Sequence, residues 1–343
     1  MWVYILFISS IFFLLTKKSN QRDNSLKLHH IIAIIIIYLF LILRCDVGWD
    51  YSAYYNVIED LDFELLILLW EPAHIPIVLL ARYFNYPHIY MVVIGCISLS
   101  FTIYSIKTYN PKLWVIGVFV FLGLFYLKGF ATMRQAAAVG IIVWGYRFVA
   151  KKQCIKYLLC CLFAFLFHYS SIAAIPIYYI YNYINKKNIS LFIIAILCIP
   201  SILFLLSTTR YSSYLQEDLS GGNVIRFIYI LILGGITILD YKAKTIAKHQ
   251  ALYYVIFLGC FAPFLLGGHI GGRVAEYYLC YFYFLIPRVL TKYNNETKIL
   301  VCFFFCFLFL FQIYNSHINA TEKDQYIPYT TIFDMNMKNP KFR

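Results

Sequence analysis

The chain has 343 residues, 62% of them hydrophobic and only 13% charged, with a formal net charge of +13. A soluble protein of this size has too little interior to hide so much apolar surface, so a soluble fold is excluded, whereas a bilayer removes the need to hide it. The positive charge does not point to a nucleic-acid partner, because most lysines sit in short joints between apolar runs, the pattern of cytoplasmic loops.

A span needs ~20 apolar residues, which leaves room for roughly ten to twelve transmembrane helices in one integral membrane domain. The expected fold is all-α and polytopic, with some spans short or broken. Aromatics make up 20%, with 32 Tyr and 31 Phe, and Tyr suits the interface, where its ring is buried and its hydroxyl is wet. The first span is residues 2–16, which lack the basic start and A-x-A site of a cleaved signal and are read as retained. The basic stretch 17–27 follows on the cytoplasmic side, and span 28–43 leads outward. Residues 44–72 form a polar and aromatic external loop, and 73–84 are too short for a comfortable span. That stretch is re-entrant, tilted, or joined to 65–70. Spans 88–106, 113–126 and 130–150 come next, with lysines at 107, 112, 151, 152 and 156 marking the inner ends.

Residues 157–184 are long for one helix and are interrupted by Ser170, Ser171 and Pro176. They read as a hairpin of two short helices with its tip near 168–171. Span 189–207, external loop 208–223, span 224–240, span 251–267, an external glycine-rich turn at 267–273 and span 274–290 complete the run. The last span is 300–314, and the tail 315–343 is external. No soluble domain boundary, low-complexity linker or internal repeat is evident by eye.

There are ten cysteines, most of them inside apolar runs, as Cys96, Cys160, Cys161, Cys198 and Cys260 are. There they act as small apolar residues. No CxxC pair occurs, and neither a disulfide framework nor a zinc site is implied. No dinucleotide, P-loop or catalytic-serine motif is present.

This topology places Arg44, Asp46, Asp50, Glu71, Arg134, His168, Arg210 and Arg273 at or near the outer face. Ionisable groups are expensive in hydrocarbon unless they face a polar cavity, so an outward-facing cavity is expected. Outer-face arginines also run against the positive-inside bias. Their planar donor forks match phosphate oxygens in pairs, which points to an anionic ligand. Arg134 sits one turn into an apolar helix, with Gln135 adding a neutral donor and acceptor, and the small run Ala136, Ala137, Ala138, Gly140 allows close approach of another helix or a lipid chain. The competing reading of Arg134 is a side chain snorkelling to the interface.

His168 stands at the tip of the broken helix and is either a proton acceptor or a structural histidine. Asp50 either acts chemically or caps the short helix that follows, while Tyr51 and Tyr54 suit packing on a sugar. The glycines before Arg273 either admit a ligand to the backbone or form a flexible turn. Arg210 opens its external loop.

Taken in order, Arg44-x3-Gly48-x-Asp50-Tyr51-x2-Tyr54, Glu71-Pro72, Met133-Arg134-Gln135, Phe167-His168-Tyr169-Ser170, Arg273 with Tyr277 and Tyr278, and Ile327-Pro328-Tyr329 resemble the EpsG family of polysaccharide polymerases, relatives of the Wzy O-antigen polymerases. Trp49 departs from the pattern, which has a small or hydroxyl residue there. The resemblance implies a glycosyltransferase that joins undecaprenyl-pyrophosphate-linked oligosaccharide repeat units into an O-antigen, capsule or exopolysaccharide. The reaction takes place on the outer side of a bacterial cytoplasmic membrane, without cofactor or metal. A chain-length regulator is an implied partner. The resemblance further implies that Arg134 and Arg273 hold the pyrophosphate, with Arg44 or Arg210 assisting. His168 or Asp50 serves as base, His168 being preferred, and Tyr51, Tyr54, Glu71, Gln135 and Tyr277 contact substrate. Two other classes use similar residues. A transporter or flippase of a lipid-linked or anionic glycan needs buried Arg and broken helices but predicts inverted repeats. A membrane acyltransferase acting on glycans needs a His base but not the Arg set.

Overall fold

Where hydrocarbon offers no water to backbone N–H and C=O groups, each apolar run must satisfy them internally, and the described residues are accordingly mostly helical. The computed structural model describes residues 1–17, 26–184, 223–266, 268–320 and 324–334. The inner loop residues 18–25, the expected span 189–207, Arg210 with most of its loop, and the tail beyond residue 334 lie outside the described residues.

The first helices, α1 (Trp2–Thr16) and α2 (Leu28–Ile42), fall on the first two expected spans. The segment between α2 and the next long helix is a chain of short pieces: α3 (Tyr51–Asp60), α4 (Phe63–Leu69), a 3-10 turn (Pro72–His74) and α5 (Ile75–Tyr83). Then come α6 (His88–Tyr109), α7 (Trp114–Leu124), the single turn α8 (Lys128–Ala131) and α9 (Met133–Ala150). The expected hairpin is present: α10 (Cys154–Phe167) ends at His168, which is extended at φ −160° and ψ 120°, and the chain returns through a 3-10 segment (Tyr169–Ala174) into α11 (Ile175–Tyr183). Both α5 and α11 carry proline at the first turn, where the missing N–H costs nothing and φ is already helical. The remaining helices are α12 (Asn223–Lys242), α13 (Ile246–Leu266), α14 (Gly268–Leu279), α15 (Phe282–Leu290) and α16 (Asn295–Ile318). Asn294 caps α16, accepting from the Thr297 N–H at 2.9 Å.

Helices α6 and α16 are long and apolar enough to cross a bilayer, and α1, α2, α7 and α10 are shorter apolar helices. With this helical architecture the chain is a membrane protein. Its apolar side chains divide by face. Leu158, Leu159, Leu162 and Phe163 of α10 are exposed, while Ala137 and Ala138 of α9 are buried and Gly140 packs against α6 at Ser98 and Thr102.

The helix ends separate by charge. Lys107 and Lys112 flank the α6–α7 joint, Lys151, Lys152 and Lys156 the α9–α10 joint, Lys242, Lys244 and Lys248 the α12–α13 joint, and Lys292 and Lys298 the α15–α16 joint. Cross-links place these joints at one end. Asn182 donates to the Val149 carbonyl at 3.1 Å, Arg288 to the Tyr146 hydroxyl at 2.9 Å, and Tyr293 to the Leu239 carbonyl at 2.6 Å. Asn110 reaches the Tyr283 carbonyl at 3.1 Å. The breaks at Glu71, Thr132 and His168 lie at the other end.

One expectation changes. Residues 268–273 are not an external turn, because α14 begins at Gly268 and runs through Arg273. Gly271 within it serves packing: a Cβ there would lie 2.5 Å from the Ala262 carbonyl oxygen, so α14 and α13 meet backbone to backbone. Residues 324–334 strap back across the end of α2. The Cys45 N–H donates to Thr330 O at 2.8 Å, Ile332 N–H to Leu43 O at 3.0 Å and Gly48 N–H to Gln325 O at 2.7 Å. The Tyr4 and Tyr329 hydroxyls pin the strap to α1 and α2, donating to Tyr326 O at 2.6 Å and Phe40 O at 2.7 Å.

Gly48 makes this arrangement possible. Its φ is +105°, and a Cβ there would stand 1.9 Å from the Phe130 carbonyl oxygen. Gly48→Ala is expected to lower stability by at least about 2 kcal/mol, from left-handed strain plus overlap. Thermal melting of the detergent-solubilised protein measures it, and an unchanged midpoint would show that the loop rearranges freely.

Candidate functional site

Helix α4 ends at Trp70, and Pro72 opens the 3-10 turn, so Glu71 is left as its extended N-cap (φ −68°, ψ 145°) with its side chain free to reach inward. That carboxylate is the hub. Arg134, the second residue of α9, donates from Nη1 to Glu71 Oε2 at 2.7 Å, and His168, just beyond α10, meets Oε1 through Nδ1 at 2.9 Å. Residues 63 and 97 positions away are thereby joined on one carboxylate. The Glu71 side chain is 4% exposed, His168 10% and Arg134 27%, so the arginine is the member that opens outward. Burial works to raise the Glu71 pKa, but the His168 hydrogen bond and the Arg134 charge outweigh it and hold it at about 2. A carboxylate only accepts, so a neutral His168 ring bonded to it carries its proton on Nδ1 and keeps Nε2 as its acceptor.

Aromatic rings wall the site. The Arg134 guanidinium lies 5.1 Å from the Trp70 ring centre and 5.6 Å from that of Tyr54, within cation–π range. Trp70 meets Tyr90 edge-on at 5.3 Å. His74, fully buried, donates to or accepts from neighbours on both sides: its Nε2 is 2.7 Å from the Phe167 carbonyl and its Nδ1 2.9 Å from the Tyr90 hydroxyl.

A second carboxylate sits behind the first. Gln135 donates from Nε2 to the Arg273 carbonyl at 2.9 Å and to Glu276 Oε2 at 2.8 Å, and Lys128 pairs with Glu276 Oε1 at 3.1 Å. Helices α8, α9 and α14 are tied together by this network. Tyr277 is buried and shares a hydrogen bond with Ser170 at 3.0 Å, joining α14 to the 3-10 segment after His168. Arg273 is half-buried, on the turn of α14 preceding Glu276. Within the described residues, Arg134 Nε and Gln135 Oε1 are buried without a hydrogen-bond partner, as is Ser171 Oγ.

Among the residues expected from sequence, Glu71, Arg134, His168, Tyr54, Gln135, Arg273 and Tyr277 thus fall on one set of contacting elements. Arg44 does not. It is fully buried, and its donors go to the carbonyls of Leu41 at 2.5 Å, Val47 at 3.2 Å and Gly129 at 3.0 Å, with Phe130 beneath the guanidinium at 4.7 Å. It ties the end of α2 to α8 and has no fork left for an anion. Tyr51 is likewise internal, its hydroxyl between Cys45 Sγ at 3.1 Å and His88 Nδ1 at 3.0 Å, so it presents no face to a sugar. Asp50 holds the N-cap position of α3 but makes no side-chain cap bond. Arg210 lies outside the described residues.

Trp70, His74, Lys128, Ser170 and Glu276 were missed. Glu276 carried a readable signal, a charge within an apolar helix. His74 carried another, lying one 3-10 turn after Glu71. Within the described residues no three His, Cys, Asp or Glu side chains form a metal-binding group.

A model of the EpsG family matches residues 27–331, a stretch that includes both carboxylate networks and the strap as far as Thr331. No curated protein and no solved structure matches the chain.

Proposed function

The chain belongs to the EpsG family, and from that premise we propose that it polymerises lipid-linked oligosaccharide repeat units into a surface polysaccharide. The observation that carries the reading is the Glu71 carboxylate holding a histidine and an arginine together at 2.9 and 2.7 Å, at the end of the bundle away from the lysine-flanked joints. Glycosyl transfer from a pyrophosphate needs a base for the acceptor hydroxyl and a cation for the leaving group, and this pair supplies one of each.

In the proposed reaction the growing chain, carried on undecaprenyl pyrophosphate, moves to the non-reducing end of the next repeat unit. His168 Nε2 accepts the proton of the acceptor hydroxyl as its oxygen bonds to the anomeric carbon. The bond from that carbon to the pyrophosphate oxygen breaks, and the pyrophosphate departs with the electron pair. Arg134 meets the developing charge, with Arg273 assisting. Glu71 stabilises the imidazolium that forms and fixes its orientation, a positioning role in place of the substrate contact first expected. Trp70 and Tyr54 line the arginine and suit a sugar face. The lysine-rich end marks the cytoplasmic side under the positive-inside rule, so the reaction belongs to the outer side.

Deletion in the native host, followed by gel analysis of its surface glycans, tests the proposal. Glycans bearing one repeat unit and no longer ladder are expected. Complete loss of surface glycan with precursors retained inside would identify a flippase instead.

A further inference from the structure

We propose that His74, held by Tyr90, is a positioning residue that sets His168 against Glu71. For the importance of His168 this rests on the polymerase reading; for the grip itself it rests on geometry alone.

Glu71 and His74 bracket one 3-10 turn, and residues three apart in such a turn lie over one another. Both reach the same place at the end of α10. Glu71 takes the His168 imidazole at 2.9 Å, and His74 Nε2 takes the carbonyl of Phe167, the residue immediately before, at 2.7 Å. That carbonyl belongs to the last residue of α10, whose final C=O groups have no helical partner and must find one. A carbonyl only accepts, so His74 Nε2 carries the proton. His74 Nδ1 is then an acceptor, and the Tyr90 hydroxyl at 2.9 Å is its donor. The ring is neutral, its tautomer is fixed from both sides, and it is fully buried between Trp70 and Phe167 at centroid distances of 5.9 and 5.5 Å. Released from this clamp, the extended backbone at His168 keeps its own N–H on the Ala164 carbonyl at 2.9 Å, the Ser171 N–H on its carbonyl at 3.0 Å and the Glu71 contact, but loses the one tie that runs from the Glu71 turn to the backbone beside it.

The test uses the full-length protein. His74→Leu removes the donor, His74→Gln returns an N–H near the Nε2 position, and Tyr90→Phe removes the group that orients the ring. Each is scored by polysaccharide ladder in the native host and by the rate at which diethyl pyrocarbonate modifies His168 in purified protein at one pH, read by mass spectrometry. His74→Leu should lower polymer yield by about a hundredfold, the effect of an ångström-scale misplacement, and speed His168 modification severalfold. His74→Gln should restore both towards wild type, and Tyr90→Phe should move both in the direction of His74→Leu. If His74→Leu does not accumulate, Tyr90→Phe carries the test. Wild-type modification rates in the folded variants, or a His74→Gln protein that behaves like His74→Leu, would overturn the proposal. The modification rate needs no turnover, so a His168→Ala protein that still polymerises would sink the catalytic reading and leave the clamp intact.

Discussion

Glu71→Gln should reduce polymer formation by about a hundredfold or more while the protein still inserts and folds, because the change removes charge and keeps shape. General-base catalysis contributes about 10²–10⁴-fold where a positioned histidine depends on its orienting group. The glutamine can still accept from His168 Nδ1 through its oxygen, but its nitrogen would face Arg134, which has nothing to accept with. The amide therefore satisfies one neighbour at the other's expense, and the imidazolium formed in the transition state loses its counter-charge. Glu71→Ala should be worse for stability. It leaves the Arg134 guanidinium, 27% exposed and lying over two rings, without its carboxylate, and a partly buried pair broken on one side is costlier than the pair was worth. Comparing the two by ladder intensity normalised to protein level separates the roles. If Glu71→Gln builds full-length polymer at the wild-type rate, Glu71 is structural and His168 needs no orienting carboxylate.

The course of the chain was legible where hydropathy decides it. Apolar runs bounded by lysines gave α1, α2, α6 and the hairpin of α10 and α11 to within about three residues at their outer bounds, because a span must be long, apolar and internally hydrogen-bonded. The site was legible in part, for a physical reason. Arg134 and His168 stand out because charge and imidazole are costly beside hydrocarbon. Sequence cannot say which carboxylate they share, since Glu71 is 63 and 97 positions from its partners and only the packing of the 3-10 turn against α10 brings them together. The same limit misassigned Arg44. In sequence it looks like another outer-face cation, but an arginine can spend its donors on carbonyls, and Arg44 does so at the helix end where orphan carbonyls are plentiful. Gly271 misled in the opposite way: part of a run that reads as a turn, it instead lets two helices touch. Glycine signals close approach, and only the fold says whether a ligand or a backbone is approaching.

Arg134→Lys is the second change expected to have a large effect, of roughly 10²–10³-fold on polymer yield, the range for removing one preorganised donor from a charge developing in a transition state. The substitution discriminates because lysine preserves so much. An ammonium can keep the contact to Glu71 that Arg134 Nη1 makes at 2.7 Å, and with it the His168 orientation, the charge count and the helix. What it cannot reproduce is the planar fork. Arg134 spends Nη1 on Glu71, and a guanidinium has five N–H donors, so donors remain to meet a second group. A point charge directed at Glu71 has no second direction to offer a pyrophosphate, and its tetrahedral head stacks less well on Trp70. The measurement is the ladder from cells carrying Arg134→Lys at matched membrane levels, set beside Arg134→Gln. Polymer restored by lysine but not by glutamine would mean that charge alone suffices and that no paired contact to phosphate is made. Polymer formed by both would take Arg134, and the anion site built around it, out of the reaction.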